Sequence, residues 1–350
     1  MTMLRYPYTG LGQFSLYLGE HLLKNNSNHY EYNLLHYPSK TIYFEKYRYN
    51  SKKLNFIIKN LSKLGFSCDY NKYNLWHILS QQFNYFPKNQ KCPIIYTIHD
   101  LNYLYEDKKT CIRQKNNKIQ HAINSATHIT TISNYVKNEV LQNFNLNNKT
   151  IQVIHNGVTV KQFANANCPV FIKSNKPFIF SIGTLTNKKN FHTLVSMMKY
   201  LPDLQLIIAG KPINNYIEQI KQTIIDNQLE NNVTLAYEIT DQDKYWLYQN
   251  CYAFAFPSLL EGFGMPIIEA LSMGKPTFCA NATSLPEIGK NTVFYWNNFE
   301  AKSMADTFNS GMNNIKNNPN FYTEAINHAK EFSWEIASQK YLNLYNEILL

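Results

Sequence analysis

The sequence contains no run of about 18 uncharged apolar residues, so a membrane-spanning helix is not expected. Its opening, MTMLRYPYTG, lacks the apolar core of a secretory signal, which predicts a chain that stays in the cytoplasm. Six cysteines are scattered at positions 68, 92, 111, 168, 251 and 279, with no Cys-x-x-Cys pair. That spacing argues against a zinc site and for reduced thiols. There is no internal repeat of solenoid period. Neither a helix-turn-helix nor an RNP-like signature is present, so a basic nucleic-acid-binding protein is a disfavoured alternative. The Gly-x-Gly at Gly10 and Gly12 lacks the third glycine of a dinucleotide fingerprint, because Ser15 stands in its place. An oxidoreductase is disfavoured on that ground.

What is present fits a globular protein: 350 residues, 44% apolar and 17% charged. This length predicts two domains. The net charge of +10 is unevenly shared. Residues 1–170 hold 20 Lys and Arg against 8 Asp and Glu, and residues 171–350 hold 14 against 16. A first half at +12 beside a second at −2 suggests an anionic partner for the first; nucleic acid, an acidic membrane surface and a phosphorylated lipid all qualify.

Apolar runs alternate with amphipathic stretches. CPIIYTIHDL, THITTIS and TIQVIHNGV read as buried strands of the first half. KPFIFSIGTL, LQLIIAG, NNVTLAYEI, CYAFAFPS and KPTFCAN read likewise in the second. Strands alternating with helices predict an α/β fold with parallel sheets covered on both faces. The segment 164–177 separates the two series and is read as a linker, giving domains at 1–165 and 175–331. The last stretch, 332–350, has the spacing of a long amphipathic helix. In such folds ligands bind at the loops that follow the strands, here expected at a cleft between the domains.

One of those loops follows CYAFAFPS. Glu261-Gly262-Phe263-Gly264 links strand to helix, Met265 follows, and Pro266 suits a first helical turn. The glycines let backbone approach a ligand, and N–H groups at a helix start favour an anion. Glu269 lies about one turn inside the helix, from where its side chain leans back toward the loop. Two carboxylates there suit the hydroxyls of a ribose or a sugar ring. After the strand KPFIFSIGTL, Gly183 and Thr184 lead to Lys188-Lys189, cations that suit a leaving diphosphate. In the first half, a Gly-x-Gly turn at Gly10 and Gly12 precedes a helix, and His99-Asp100 ends a strand. The Asp-x-Asp at Asp241 and Asp243 is read as a cap and a first-turn charge rather than a metal site, and no catalytic metal is expected.

In this order the segments resemble the GT4 retaining glycosyltransferases of the GT-B fold. The likeness runs through TGLGQF, TIHDL, TTISNYVKNEV, VIHNGV, SIGTLTNKKNF, LIIAGK, FPSLLEGFGMPIIEALSMGKP, SLPEIG and FSWEIA. Bacterial mannosyltransferase-like enzymes of surface-polysaccharide assembly are the nearest kind. The resemblance implies that Glu261 binds donor-sugar hydroxyls beside the amides of Phe263 and Gly264, and that Glu269 holds the ribose. It places Lys189 and Lys188 on the diphosphate, Gly12 near the phosphates, and His99 near the reacting carbon with Asp100 beside it. It also implies that the final helix returns to the first domain. Thr184 stands where many relatives have arginine, and Gln13 likewise.

The resulting expectation is a retaining transfer of a hexose, with mannose the first choice, from a nucleotide-diphosphate sugar such as GDP-mannose. The acceptor would be a saccharide or lipid-linked saccharide at the inner face of the cytoplasmic membrane, and no cofactor is required. A sugar-nucleotide epimerase of the same fold is the alternative.

Overall fold

A computed structural model of the chain describes residues 4, 9–26, 30–36, 44–53, 73–82, 92–106, 109–159, 163, 166–172, 174–213 and 215–350. Relatives of this family begin with a hydrophobic strand, for which this sequence offers only MTML before the glycine loop, and of those residues only Leu4 is described. Contacts divide the chain into two units, Met1–Gly157 with Phe332–Leu350, and Val158–Glu331. Those residues of the segment 164–177 that are described belong to the second unit.

In the first unit, β1 (Asn33–His36) and β2 (Asn50–Lys53) form a parallel pair. A second parallel sheet runs in the order β3 (Trp76–Ile78), β4 (Ile94–Ile98), β5 (His128–Thr131), β6 (Ile151–Val153). β4, with the sequence IIYTI, is buried at every position, as a strand covered on both faces must be. Helix Gly10–Lys24 turns Phe14, Leu18 and Leu22, four residues apart, onto this core. The terminal helix Trp334–Leu349 adds Trp334, Tyr341, Leu342 and Tyr345 to the same cluster.

The second unit holds β7 (Phe178–Ile182), β8 (Gln205–Ala209), β9 (Val233–Ala236), β10 (Ala253–Phe256), β11 (Thr277–Ala280) and β12 (Phe294–Trp296). They form one parallel sheet in the order β12-β11-β10-β7-β8-β9. From β7 the chain builds outward through β8 and β9, then returns to β7's other edge with β10 and builds the opposite way. The strand order therefore reverses between β7 and β10. The loops leaving these two strands at their C-terminal ends lie side by side, at the point where open α/β sheets bind ligands.

A polar thread crosses the first unit's core. His77 Nδ1 is 2.6 Å from Tyr345 Oη, its Nε2 is 2.7 Å from Thr97 Oγ1, and that hydroxyl is 2.7 Å from Thr130 Oγ1. The terminal helix is thus tied to β3, β4 and β5 by hydrogen bonds as well as by apolar packing. Burial pushes His77 down to about 3 and His99, on the loop after β4, down to about 4. Both are neutral when folded and take up protons when unfolded, so the stability they support is complete above the unfolded value of about 6.5 and is lost below it. The unfolding free energy from urea titration should hold steady near neutral pH and fall as pH drops from about 6.5 to 4.5, by about 2 kcal/mol per histidine at about pH 5. His77→Gln should flatten part of that slope. A slope that the substitution leaves untouched would contradict this assignment.

Candidate active site

Two struts join the loops after β7 and β10. The Leu259 N–H donates to the Lys188 carbonyl at 2.7 Å, and Ser258 Oγ reaches the same oxygen at 3.4 Å. Lys188 and Lys189 lie in a single 3-10 turn, Asn187–Lys189, which Asn190 closes in a left-handed conformation (φ 57°). Beneath them Gly183 leaves room for the Lys189 stem, since a Cβ there would lie 3.3 Å from Lys189 Cε. Gly210 makes the next layer possible: at φ +150°, a Cβ would come within 1.8 Å of the Gly183 carbonyl oxygen.

The loop after β10 is held from its far side by the segment after β11. The Glu261 N–H donates to Thr283 Oγ1 at 3.2 Å, and Ser284 Oγ donates to the carbonyls of Glu261 (3.0 Å) and Phe263 (2.9 Å). Gly262 and Phe263 are buried, so the Phe263 ring belongs to the core. Gly264, at φ +107°, starts helix Met265–Ser272; a Cβ there would meet Leu285 Cδ2 at 2.7 Å in a backbone state that side chains disfavour. In its first turn the Ile267 N–H donates to the Gly264 carbonyl at 3.0 Å, and Pro266 has no N–H to offer.

Glu261 Oε1 pairs with Lys189 Nζ and accepts from Ser258 Oγ at 2.6 Å. Lys189 Nζ also lies 4.7 Å from the centre of the Phe256 ring. The structure thus brings together three residues singled out in the sequence, Gly183, Lys189 and Glu261. Thr184 is exposed at the edge of the loop, while Lys188 and Met265 are half-buried.

Glu269 is buried (7% exposed) and has a separate set of partners. Its Oε1 accepts from Lys244 Nζ at 2.5 Å and its Oε2 from Tyr248 Oη at 2.8 Å. Burial and the adjacent carboxylate push the Tyr248 phenol well above its ordinary value, so it serves as a donor. Both partners come from helix Asp241–Asn250, which was read from the sequence only as a capped helix. The cap itself is a correction. Thr240, not Asp241, is the N-cap, and Asp243 bonds back to it in a capping box; the threonine hydroxyl can reach the N3 amide from that position. Among the described residues no group of three His, Cys, Asp or Glu is placed to hold a metal ion.

In the first unit, Gly10 and Gly12 lie inside the first turn of helix Gly10–Lys24 rather than in a turn before it. The Gly12 N–H donates to Thr9 Oγ1 at 3.1 Å, so the Thr9 cap starts the helix earlier than the glycine pattern suggested. Two residues on, the Phe14 ring stands edge-on to His99, with centroids 4.5 Å apart. His99 Nε2–H donates to the Leu79 carbonyl at 2.8 Å, which leaves Nδ1 as an acceptor. Gln81 braces the strand end, accepting from the His99 N–H (3.1 Å) and donating to the Asp100 carbonyl (3.0 Å). Asp100 Oδ1 accepts from the Asn102 N–H at 3.2 Å, an Asx turn.

Ser258, Thr283, Ser284, Lys244 and Tyr248 were not singled out in the sequence. Ser284 carried a signal, since it opens the SLPEIG motif, and Ser258 did too, since it lies in the FPSLLEGFGMP motif; the other three did not.

Two protein-family models match the chain, Glycosyltransferase Family 4 over residues 26–162 and Glycosyl transferases group 1 over residues 167–332. The chain is 24% identical over 315 residues to the O-antigen chain mannosyltransferase RfbU of Salmonella typhimurium, covering 85% of each protein. Over 117 residues it is 35% identical to the serotype-specific mannosyltransferase WbdA of Escherichia coli, 32% of this chain and 14% of that one. The solved structure of Anabaena Alr3699/HepE in complex with UDP and glucose matches it with a TM-score of 0.73 at 17% identity, over 97% of this chain and 96% of that one. The chain belongs to the family 4 glycosyltransferases and has the GT-B fold.

Proposed function

We propose that this family 4 glycosyltransferase moves a hexose, mannose in the first instance, from a nucleotide-diphosphate sugar to a saccharide or lipid-linked acceptor of cell-surface polysaccharide, with retention at the anomeric carbon. The observation that carries the reading is the Lys189–Glu261 pair where the sheet order reverses, beside a helix start opened by Gly264. RfbU and WbdA, mannosyltransferases by name, support the sugar, and the UDP and glucose of the HepE structure support a nucleotide-sugar donor.

In this reading Glu261 accepts hydrogen bonds from the hexose hydroxyls and Glu269 from the ribose. Lys188, Lys189 and the amides of Gly264 and Met265 stabilise the charge that grows on the diphosphate as its oxygen leaves C1. Lysine offers point charges here, with no arginine fork at Thr184. Glu261 is committed to Lys189 and Ser258, so it is assigned to binding rather than to nucleophilic attack. The acceptor oxygen bonds to C1 on the face that the diphosphate vacates, and its proton passes to a phosphate oxygen of the leaving group. The neutral His99 ring is assigned hydrogen bonding to substrate through Nδ1, with Asp100 as its neighbour. No cofactor enters these steps. Lys189→Ala should lower turnover by about 100-fold or more, as the loss of a transition-state charge partner does. NMR of the wild-type product should show retained configuration; an inverted centre, or turnover unchanged in Lys189→Ala, contradicts the reading.

The +12 charge of residues 1–170 supports a peripheral position at the cytoplasmic face of an anionic membrane. Among the described residues no helix is long and apolar enough to cross one. Binding to vesicles rich in acidic phospholipid should weaken steeply between about 0.05 and 0.5 M salt. Binding indifferent to salt, or equal on neutral vesicles, would refute an electrostatic attachment.

A further inference from the structure

Glu269 is fixed by two donors, one on each oxygen, and both come from the same helix. Lys244 and Tyr248 are four residues apart on Asp241–Asn250, so they share a face. Tyr248 is immobile: its ring packs edge-on to Phe180 of β7 at 5.0 Å and tilted against Phe254 of β10 at 5.2 Å. Lys244 is the outer member, its side chain 27% exposed against 9% for Glu269. The helix start is pinned by the Thr240–Asp243 capping box. The result is a buried carboxylate whose plane is set by Tyr248 from inside and by Lys244 from the rim.

We propose that Lys244 is a positioning residue of the donor site, which with Tyr248 holds the Glu269 carboxylate so that both oxygens keep a lone pair for the 2′- and 3′-hydroxyls of the donor ribose. The proposal rests on the ribose role given to Glu269 above. A carboxylate oxygen accepts about two hydrogen bonds. Lys244 fills one acceptor position on Oε1 and Tyr248 one on Oε2, and a vicinal diol can take the two that remain. Without Lys244 the buried carboxylate loses its cation, and nothing on Oε1 opposes its rotation about the last side-chain bond. A diol then meets one aligned oxygen instead of two. The cost falls on donor binding alone, because the ribose is remote from the reacting carbon.

The test compares GDP and UDP, each beside its 2′,3′-dideoxy form, as ligands of the full chain in calorimetry. Wild type should bind the ribose form of its preferred nucleotide about tenfold or more tightly than the dideoxy form, the scale of hydrogen bonds to a charged group. In Lys244→Gln the ratio should fall to about two- to threefold, with dideoxy affinity changed by less than about twofold. Lys244→Arg should restore most of the ratio. Tyr248→Phe, which keeps the ring packing, should lower the ratio independently if Lys244→Gln does not fold. In transfer assays Lys244→Gln should raise the donor KM and leave kcat within about twofold. A ratio of wild-type size in folded Lys244→Gln, or in Tyr248→Phe where Lys244→Gln does not fold, overturns this proposal and spares the role of Glu269. A wild-type ratio near one, or no binding of either nucleotide, overturns the ribose role itself and the proposal with it.

Discussion

Between β7 and β10 the second unit's sheet changes the direction in which its strands are laid down, and loops far apart in sequence are left as neighbours. Lys188 and Lys189 come from one loop, and Ser258, Glu261 and Gly264 from the other. The Leu259-to-Lys188 strut would have no partner if β10 were added beyond β9. Gly210 belongs to the same constraint, because the strand beside β7 must pass under the Gly183 carbonyl. The site is therefore a product of topology first and of residue identity second.

Residue identity then settles the electrostatics. Each carboxylate of the Glu261 and Glu269 pair has its own lysine and its own hydroxyl donor: Lys189 with Ser258, and Lys244 with Tyr248. At this depth a carboxylate left without its lysine is penalised, because its charge is then only partly compensated. In the proposed reading this arrangement suits a polyol. Glu261 and Glu269 are each oriented by two donors, so that in this reading hydroxyls need only take acceptor positions already aligned. A diphosphate would offer Lys189 a stronger partner than one carboxylate does.

Where a strand is an uninterrupted apolar run, the sequence made it legible: FIFSI, LIIA, AFAF and TFCA all became buried parallel strands. The Glu261–Glu269 loop was legible too, because Gly264 and Pro266 punctuate it. β1, β2, β3 and β12 were not. NSKK of β2 has no apolar residue at all, and strand pairing, which sequence does not display, defines all four. The partners of Glu269 were hidden for a related reason. Nothing local marks Lys244 or Tyr248, since their role arises only when Asp241–Asn250 packs beside Met265–Ser272. The misplaced cap at Asp241 and the early helix at Gly10 share one cause: a threonine just upstream, Thr240 or Thr9, outcompeted the residue that the pattern favoured.

The central claim is that Glu261 recognises the donor's hexose while the neighbouring groups hold its nucleotide. Calorimetry with GDP-mannose and GDP, or the corresponding UDP-hexose and UDP if uridine is preferred, tests it most directly in wild type and Glu261→Ala. The account predicts that wild type gains affinity from the hexose, and that Glu261→Ala loses this gain while still binding the nucleoside diphosphate. An undiminished hexose gain in Glu261→Ala, or a wild-type chain that binds no nucleotide sugar, would contradict it.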